Sequence, residues 1–427
     1  MRIAVIAEVF LPKIDGVVGR TLNLIQQLLD AGDEIIVICP EVPQSRNSPV
    51  PLIEFPGFPC ASYPEYIIGR PDNRLIEQLR AFQPDVIHFL NPFAFGFQCC
   101  DLISRSDLKT ATLFSFHTLY GEFVKQYAGL SPLSRLVWWL MKSYHNTAWL
   151  NLTVSSVMVD ELCRRGFERV ALWPPAVDSH LFSPDRNTSA MRCRMSGHHP
   201  ESPLLLTVSR LASEKNVSFL TEILDRVPEA RLAIVGGGPQ REELERRFAR
   251  CKAHFIGYLQ GEELAAAYAS ADVFVYASET ETMGNVILEA MSAGLPVVAA
   301  DAGGVSGLVD HGVNGFLFTP RHAHQAADYV RQILYSADRR EQMSMAAVAS
   351  VQSRTWKNAG ERVRACYQQV IDESKSSQET QVRQVGFLAS LCTRALVRMF
   401  QLTSTFSGKH LSPAKRTPHI EVKGSLN

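Results

Sequence analysis

The feature that most constrains the fold lies between residues 272 and 304, where two short apolar runs enclose a segment of helical composition. The runs are 272–276 and 296–300, and the segment between them is 285–292. A strand, a helix and a second strand in this order form a βαβ unit, whose parallel strands are covered on both faces. A chain that repeats this unit is predicted to be an α/β protein.

The same alternation of apolar runs and helical segments fills both halves of the chain. Its 427 residues exceed one ordinary hydrophobic core, so two domains are expected. A polar stretch at 183–203 interrupts the alternation and is predicted to be the inter-domain linker. The predicted boundaries are 1–185 for the N-terminal domain, completed by a helix at 356–372, and 200–355 for the C-terminal domain. Residues 373–427 are predicted to form a linker, an amphipathic segment and a disordered tail.

Charge and cysteine content exclude several classes of function. Lys plus Arg and Asp plus Glu both number 43, so no net positive field favours nucleic acid. The nine cysteines contain no CxxC pair, which favours free thiols in a reducing compartment and no metal site of that type. No apolar run is long enough for a transmembrane helix, and the short N-terminal run is interpreted as a first core strand rather than a signal peptide.

Two carboxylates and a helix start make the 278–304 stretch a candidate ligand site. Glu281 precedes the predicted helix and Glu289 lies on it. The loop at 282–285 leaves backbone N–H groups at the helix start, where anions bind favourably. Open α/β sheets bind ligands at the carboxyl ends of their strands. The alternative is that both glutamates simply lie on a solvated helix face.

Three other strand ends carry residues suited to a phosphorylated ligand. Gly16 follows the first strand, and the chain there lacks the GxGxxG pattern of nicotinamide-binding proteins. Arg210 and Lys215 follow the strand at 204–208 and are placed to hold a diphosphate. Gly237 is the middle glycine of a triplet after the strand at 231–235, and its small size favours close approach of a nucleotide. For each, the alternative is an ordinary turn or a solvated charge.

His117 ends the strand at 112–116 and is a candidate to contact a sugar or a reacting oxygen. The alternative is a structural histidine.

Together these motifs resemble the retaining nucleotide-sugar glycosyltransferases of family 4, over residues 1–372. The resemblance rests on five features in the right order, namely the Gly16 loop, Arg210-x4-Lys215, Gly236-Gly-Gly-Pro239, Glu281-x7-Glu289 and Gly303-Gly304. It implies the GT-B fold, in which two Rossmann-like domains with parallel sheets face each other across a deep cleft. The segments 10–16, 115–118, 228–231 and 257–264 look most like lipid sulfoquinovosyltransferases, which move sulfoquinovose from UDP to diacylglycerol. Lipid mannosyltransferases that use GDP-mannose are the nearest alternative.

The resemblance also implies roles for individual residues. Arg210 and Lys215 would hold the donor diphosphate and stabilise the leaving group, and Glu289 would bind the ribose. Glu281 and the backbone of Met283, Gly284, Asn285 and Val286 would hold the sugar. Gly16 and Gly237 would lie near the nucleotide, and His117 near the reacting centre, so the predicted catalytic residues are His117, Arg210, Lys215 and Glu281. No metal or other cofactor is expected, because the cations would replace it.

Two departures from the family pattern concern the cleft. Ser209 stands where the family commonly has glycine, and Ala176 replaces a usual glycine within 173–178. The second departure leaves the acceptor open. A nucleotide-sugar epimerase and a non-catalytic sugar-nucleotide-binding protein remain alternative functions.

A lipid acceptor implies a cytoplasmic protein that is peripheral on the cytoplasmic face of a membrane. Trp138, Trp139 and Lys142 are the predicted membrane contacts, together with the segment 385–402. The predicted apolar stripe of that segment consists of Val385, Leu388, Cys392, Ala395, Leu396 and Met399. Core packing or a protein partner is the alternative for both segments.

Overall fold

The computed structural model describes residues 1–13, 15–42, 47–61, 63–123, 133–376 and 385–407. Most of the predicted tail, and part of the linker predicted before the amphipathic segment, lie outside these residues. The described chain forms two α/β domains, each built around a parallel sheet.

The N-terminal domain contains a seven-stranded parallel sheet in the order β3-β2-β1-β6-β7-β8-β9, and a separate antiparallel hairpin of β4 and β5. Its strands are β1 Arg2–Ala7, β2 Glu34–Pro40, β3 Leu52–Phe55, β4 Gly57–Cys60, β5 Tyr63–Gly69, β6 Val86–Leu90, β7 Ala111–Phe116, β8 Leu150–Thr153 and β9 Val170–Leu172. Its helices are α1 Gly16–Asp30, α2 Arg74–Phe82, α3 Ala94–Ser104, α4 Tyr120–Phe123, α5 Ser134–His145 and α6 Ser156–Arg164.

The C-terminal domain contains a six-stranded parallel sheet in the order β12-β11-β10-β13-β14-β15. Its strands are β10 Leu204–Val208, β11 Arg231–Val235, β12 Ala253–Gly257, β13 Val273–Tyr276, β14 Val297–Ala300 and β15 Gly315–Phe318. Its helices are α7 Ser189–Met195, α8 Leu220–Leu224, α9 Arg241–Arg247, α10 Gly261–Ala269, α11 Asn285–Ser292, α12 Ala323–Leu334 and α13 Ala337–Val351. Two further helices end the described chain, namely α14 Trp356–Ser376 and α15 Phe387–Ser407.

Both sheets are buried on both faces, which explains their continuous apolar strands. In β1, Ala4 and Ile6 join the core on one face of the first sheet, while Ile3 and Val5 join the core on the other. The strands of the second sheet divide their side chains in the same way.

The last two helices pack on the N-terminal domain. Helix α14 lies against α1 and buries Val363, Tyr367 and Val370 in the core that also contains Ile3 and Val5. Helix α15 packs on α3, α5 and β4.

The segment predicted as the linker is not an extended connection. It contains a 3-10 turn at Pro184–Arg186 and helix α7, whose Met191 and Met195 are buried against the second sheet. Val177 and Phe182 pack in the same core. The polar composition of 183–203 reflects the outer face of this region, because only a few apolar side chains are needed to fix so short a helix.

Candidate active site

The strand order places the candidate site at the crevice between β10 and β13. In each sheet the first three strands run outward in one direction from the first strand of the domain, and the next strand is added on its other side. Ligands bind at such a switch point, outside the carboxyl ends of the strands. Strands β10 and β13 pair directly, so the loops that follow them meet. Lys215 lies in the loop after β10, and Glu281 lies in the loop after β13.

Lys215, Glu281 and Tyr276 form a charged cluster in this crevice. The Lys215 ammonium donates to both Glu281 oxygens, at 3.0 and 2.8 Å, and the Tyr276 hydroxyl donates to the same carboxylate. Lys215 and Glu281 keep 20% and 17% of their side-chain surface exposed, so both can reach a ligand. Burial, followed by the neighbouring Glu281 charge, raises the pKa of Tyr276, which therefore stays a neutral hydrogen-bond donor. The sequence reasoning missed Tyr276, because a tyrosine inside an apolar strand looks like an ordinary core residue.

In the glycine triplet 236–238, a Cβ on either outer glycine would clash with the backbone of the loop after β10, whereas the central glycine has room for one. A Cβ on Gly236 would lie 1.9 Å from the Ser209 carbonyl oxygen, and one on Gly238 would lie 2.4 Å from that of Leu211. A Cβ on Gly237 would meet nothing within 4 Å. The outer two glycines are therefore needed for packing between loops, whereas Gly237 borders open space. Arg210 lies between Ser209 and Leu211 in the sequence and is exposed.

The loop at 281–284 is held from behind by the second glycine pair. The Gly304 N–H donates to the Glu281 carbonyl at 2.7 Å, and a Cβ on Gly303 would lie 2.2 Å from that same oxygen. Gly284 precedes α11 with a φ of +86°, a conformation that favours glycine. This support fixes the position of Glu281 and of the first turn of α11. Met283, just before the helix, is buried, and Val286 in its first turn is half-buried.

Glu289 lies in a separate environment from Glu281. The buried Tyr268 hydroxyl donates to Glu289 at 2.8 Å, and Glu281 has no part in this contact. Burial raises the pKa of Glu289 to about 7, and the hydrogen bond from Tyr268 offsets part of the rise. The two glutamates of the motif are therefore held by different tyrosines, and Lys215 pairs with Glu281.

Gly16 lies across the cleft from the start of α11. A Cβ on Gly16 would come within 3.2 Å of the Asn285 amide nitrogen. The other amide atom of Asn285, Oδ1, is buried and has no hydrogen-bond partner. The N-terminus of α1 in one domain thus faces the N-terminus of α11 in the other.

His117 is buried in the N-terminal domain and is not in side-chain contact with the Lys215–Glu281 cluster. Its Nε2 lies 3.0 Å from the Ser115 hydroxyl, and its ring packs edge-on against Trp173. Burial, followed by the charge of Arg20, lowers the pKa of His117 well below its usual range. The imidazole is therefore neutral at physiological pH.

Several contacts between the domains were not predicted from the sequence. The Thr282 hydroxyl donates to the His117 carbonyl at 2.9 Å, and the Ser155 hydroxyl donates to the Thr282 carbonyl at 2.8 Å. These two bonds join the loop at 281–284 to the carboxyl ends of β7 and β8. Small hydroxyl residues in loops give no sequence signal of such contacts.

Arg20 is the largest polar side chain buried between the domains. Its guanidinium donates to the carbonyls of Trp173 and Pro174, at 2.8 and 2.6 Å, and to the Met283 sulfur at 2.9 Å. It also lies over the Trp173 ring, 4.4 Å from the centroid. Burial lowers the pKa of Arg20 to about 9, which leaves it charged at neutral pH. Arg20 therefore connects α1, the segment after β9 and the loop at 281–284.

The carboxyl edge of the first sheet carries a buried carboxylate. Glu8 follows β1 and accepts hydrogen bonds from the backbone N–H groups of Phe93, Phe95 and Gly96, each at 2.8 Å, and from the Tyr66 hydroxyl. Burial raises the pKa of Glu8, and these four donors oppose the rise. The carboxylate caps the N-terminus of α3, which is a structural role.

The two predicted tryptophan contacts differ in the structure. Trp138 stacks on Phe116 with ring centroids 5.9 Å apart and lies under the Arg165 guanidinium at 3.9 Å, so it packs on the domain core, which was the alternative to the predicted membrane contact. Trp139, the next residue, is exposed. The predicted stripe on α15 is likewise divided, because Cys392 and Leu396 pack inward while Leu388 and Met399 are exposed.

The described residues contain neither a membrane-spanning helix nor a cluster of metal-binding side chains. No helix within them is long and apolar enough to cross a membrane. Nor do three or more His, Cys, Asp or Glu side chains within them converge on a point where a metal ion could bind.

Comparison with protein families identifies both domains. The model of Glycosyltransferase Family 4 matches residues 14–181, and that of Glycosyl transferases group 1 matches residues 194–349. The sulfoquinovosyl transferase SQD2 of Arabidopsis thaliana is 35% identical over 360 residues, which cover 82% of this chain and 70% of that protein. The chain belongs to glycosyltransferase family 4. The resemblance noted in the sequence and the prediction of a glycosyltransferase are thereby confirmed.

Other relatives of this glycosyltransferase use different donors or acceptors. A GDP-mannose-dependent alpha-mannosyltransferase of Mycobacterium tuberculosis is 33% identical over 364 residues, covering 83% of this chain and 93% of that protein. The alpha-monoglucosyldiacylglycerol synthase of Acholeplasma laidlawii is 26% identical over 341 residues, covering 74% of this chain and 85% of that protein.

Solved structures confirm the predicted GT-B fold. Sucrose-phosphate synthase from Thermosynechococcus elongatus superposes with a TM-score of 0.71 at 20% identity, covering 87% of this chain and 99% of that one. HepE from Anabaena, solved with UDP and glucose, superposes with a TM-score of 0.69 at 18% identity, covering 86% of this chain and 99% of that one. At these identities the likeness establishes the architecture alone.

Proposed function

We propose that this glycosyltransferase transfers a sugar with retention of configuration from a nucleotide-sugar to a membrane lipid. The proposed donor and acceptor are UDP-sulfoquinovose and diacylglycerol. Support for this pair comes from the relatives, since one is a sulfoquinovosyl transferase and another acts in diacylglycerol glycosylation. The observation that carries the donor site is the accessible Lys215–Glu281 pair beside the open space at Gly237.

The diphosphate of the donor would replace Glu281 as the partner of Lys215. A diphosphate carries more charge than a carboxylate, and Arg210 follows the same strand to share it. Glu281 would then be released to accept hydrogen bonds from sugar hydroxyls, while Tyr276 keeps its carboxylate in place. Glu289 would accept from the ribose hydroxyls.

The reaction proposed at this site needs only the donor, the acceptor hydroxyl and the protein's own cations. The bond between the anomeric carbon and the phosphate oxygen breaks, and a bond to the acceptor oxygen forms on the same face of the sugar. The acceptor proton passes to the leaving phosphate. Lys215 and Arg210 would stabilise the negative charge that develops there, so no metal or other cofactor is included in the proposal. Neutral His117 would lie near the sugar, because its carbonyl accepts a hydrogen bond from Thr282, the residue after Glu281.

A GDP-mannose-dependent mannosyltransferase is the second candidate, because one such relative is matched over 93% of its own length. In either case the acceptor would be reached from the cytoplasmic face of a membrane, on which the protein would be peripheral. Nucleic acid is not among the proposed partners.

A donor panel tests the proposal. Purified protein is incubated with UDP-sulfoquinovose, UDP-glucose or GDP-mannose, with and without diacylglycerol, and both released nucleotide and product lipid are measured. Release of UDP from UDP-sulfoquinovose that requires diacylglycerol is the expected result. Turnover of GDP-mannose alone supports the second candidate, conversion of a UDP-sugar without acceptor indicates an epimerase, and no turnover of any donor contradicts the transferase proposal.

A further inference from the structure

Two neighbouring helices of the N-terminal domain carry most of the exposed large apolar side chains. Among the described residues there are twelve such side chains, and eight of them lie on α15, on α5 or directly before α5. On α15, Leu388, Leu391 and Leu402 are 64, 47 and 62% exposed. On α5, Leu136 and Trp139 are 41 and 39% exposed. We call these five side chains, together with Met399, the α5–α15 face.

The α5–α15 face belongs to helices that are already fixed on the domain. Ala389 and Val397 on the opposite side of α15 are buried in the core. Ser390 donates to Asp101 at 2.6 Å and accepts from Arg105 at 2.6 Å, which attaches α15 to α3. A helix that only covered the core would present polar residues to water on its outer side. Here the outer side also carries exposed leucines and a methionine between its polar residues, and such a patch marks a surface that binds an apolar environment.

The charge of these helices identifies that environment. Neither α5 nor α15 contains an aspartate or glutamate. Arg135, Arg394 and Arg398 are exposed on them, and Lys142 is half-buried. Apolar side chains flanked only by cations are typical of helices that lie in the interface of an anionic bilayer.

The protein's own C-terminal sequence is a poor occupant of the face. Residues 408–427 contain Lys409, Lys415, Arg416 and Lys423 but only one acidic residue, Glu421. A cationic segment does not complement a cationic surface, whereas both would be attracted to the same anionic membrane.

The α5–α15 face is also connected to the cleft. Helix α4 packs on α5 so closely that a Cβ on Gly121 would lie 2.2 Å from the Trp138 indole nitrogen. The first residue of α4, Tyr120, donates from its hydroxyl to the Asn91 carbonyl and accepts from the Asn91 amide, just after β6. One short helix thus separates the α5–α15 face from the carboxyl edge of the first sheet.

We infer that the α5–α15 face docks on an anionic lipid bilayer and so presents the cleft to a lipid acceptor. The inference deepens the proposed function, because a transferase that glycosylates a membrane lipid has to reach the bilayer. Its test is nevertheless independent of which sugar is transferred. Leucines and Trp139 would enter the interface, and the arginines would lie at the level of the headgroups.

Vesicle flotation of the full chain tests the inference. Vesicles are made of phosphatidylcholine with or without phosphatidylglycerol. The Leu388→Glu, Leu402→Glu double variant is expected to lose binding by at least about tenfold, because two apolar side chains leave the interface. The matched control is Met345→Glu with Val313→Glu, two side chains of the C-terminal domain that are 60 and 58% exposed. It is expected to float like the wild type.

The charge contribution is tested with Arg394→Gln and Arg398→Gln. Each change is expected to weaken binding to phosphatidylglycerol vesicles by about fivefold, without affecting the weaker binding to pure phosphatidylcholine.

Three results would overturn the inference. The first is a wild-type protein that does not float with the vesicles. The second is a control double variant that loses as much binding as the α5–α15 double variant. The third is a wild type that is a dimer in solution and becomes a monomer when Leu388 and Leu402 are replaced. Activity on a short-chain diacylglycerol in free solution separates this inference from the proposed function. The α5–α15 variants should retain that activity, whereas failure of the proposed function removes it from the wild type too.

Discussion

The two domains place different chemistry at the same edge of similar sheets, since one glutamate follows the first strand β1 and the other follows β13, the neighbour of the first strand β10. In both sheets the direction in which strands are added switches at the first strand of the domain. Both sheets also carry a glutamate just beyond their carboxyl edge. Glu8 of the N-terminal domain is 2% exposed and is fully used by three backbone N–H groups and Tyr66. Glu281 of the C-terminal domain is paired with an accessible lysine and one tyrosine.

This difference separates a structural carboxylate from a functional one. The partners of Glu8 are fixed parts of the fold, so an arriving ligand has nothing to exchange with. The partner of Glu281 is a flexible cation that an anionic ligand can take over. The same fold therefore supports a rigid first edge and a donor site at the second, and four variants test that division.

Loss of the Lys215 ammonium is expected to have the largest effect. Lys215→Ala should lower kcat/KM by about 100- to 1,000-fold, because it removes the charge that stabilises the leaving diphosphate. Circular dichroism should be unchanged. Lys252→Ala removes an exposed lysine of the same domain, bonded only to the Pro228 carbonyl, and should retain full activity. Normal turnover by Lys215→Ala would contradict the donor-site assignment.

The Glu8→Gln change should act on stability instead. The side-chain NH2 group of glutamine cannot accept the backbone N–H groups that one carboxylate oxygen now accepts, and at least one buried donor would lose its partner. The free energy of unfolding should therefore fall by about 2–4 kcal/mol. Urea denaturation measures it, with exposed Glu77→Gln as the control. Nucleotide affinity of the folded variant should stay at the wild-type value, and a selective loss of affinity would mean that the first edge also binds the donor.

Much of the architecture was predictable, because strands buried on both faces are apolar throughout. The alternation of strands and helices also placed Lys215 and Glu281 in loops that follow strands, and the family resemblance assigned both to one donor site. Helix α3 was missed because nine of its eleven residues are buried, which removes the one-sided pattern of a surface helix. Adjacent residues give the same difficulty, since Trp138 and Trp139 differ by about 100° around α5 and only packing decides which points inward.

The role of Arg20 could not be predicted either. Its carbonyl partners come from the segment after β9, and its sulfur partner comes from the other domain. Such a buried cation depends on tertiary contacts that no local pattern records.

Glycine substitutions give a smaller and more specific test. Gly237→Ala should leave the melting temperature unchanged, because its Cβ meets no protein atom within 4 Å. The KM for the nucleotide-sugar should rise by about tenfold if the diphosphate occupies that space, as expected for loss of about one hydrogen bond or close contact. Gly236→Ala is the contrasting variant, since its Cβ would clash with Ser209 and its φ is +130°. It should destabilise the domain, and an equal loss of stability in Gly237→Ala would contradict the assignment of the space to a ligand.

The pH dependence of Glu289 concerns stability alone. In the folded protein its pKa is raised to about 7 from 4.5, so the folded state holds a proton over that interval. The corresponding stability is present below pH 4.5 and is lost as the pH rises through about 7, a change of about 1–3 kcal/mol. In Glu289→Gln this contribution should be absent, which urea denaturation at pH 5 and pH 8 can show. An identical pH dependence in the variant and the wild type would contradict the assignment.

Hydrogen–deuterium exchange with and without UDP tests the central claim most directly. The donor site predicted here consists of the loops 209–215, 236–238 and 281–286 at the edge of the second sheet. UDP should slow amide exchange in these loops and leave the Glu8-bonded amides of Phe93, Phe95 and Gly96 unchanged. Protection of the Glu8-bonded amides, with none around Lys215 and Glu281, would place the nucleotide on the first domain and contradict the account.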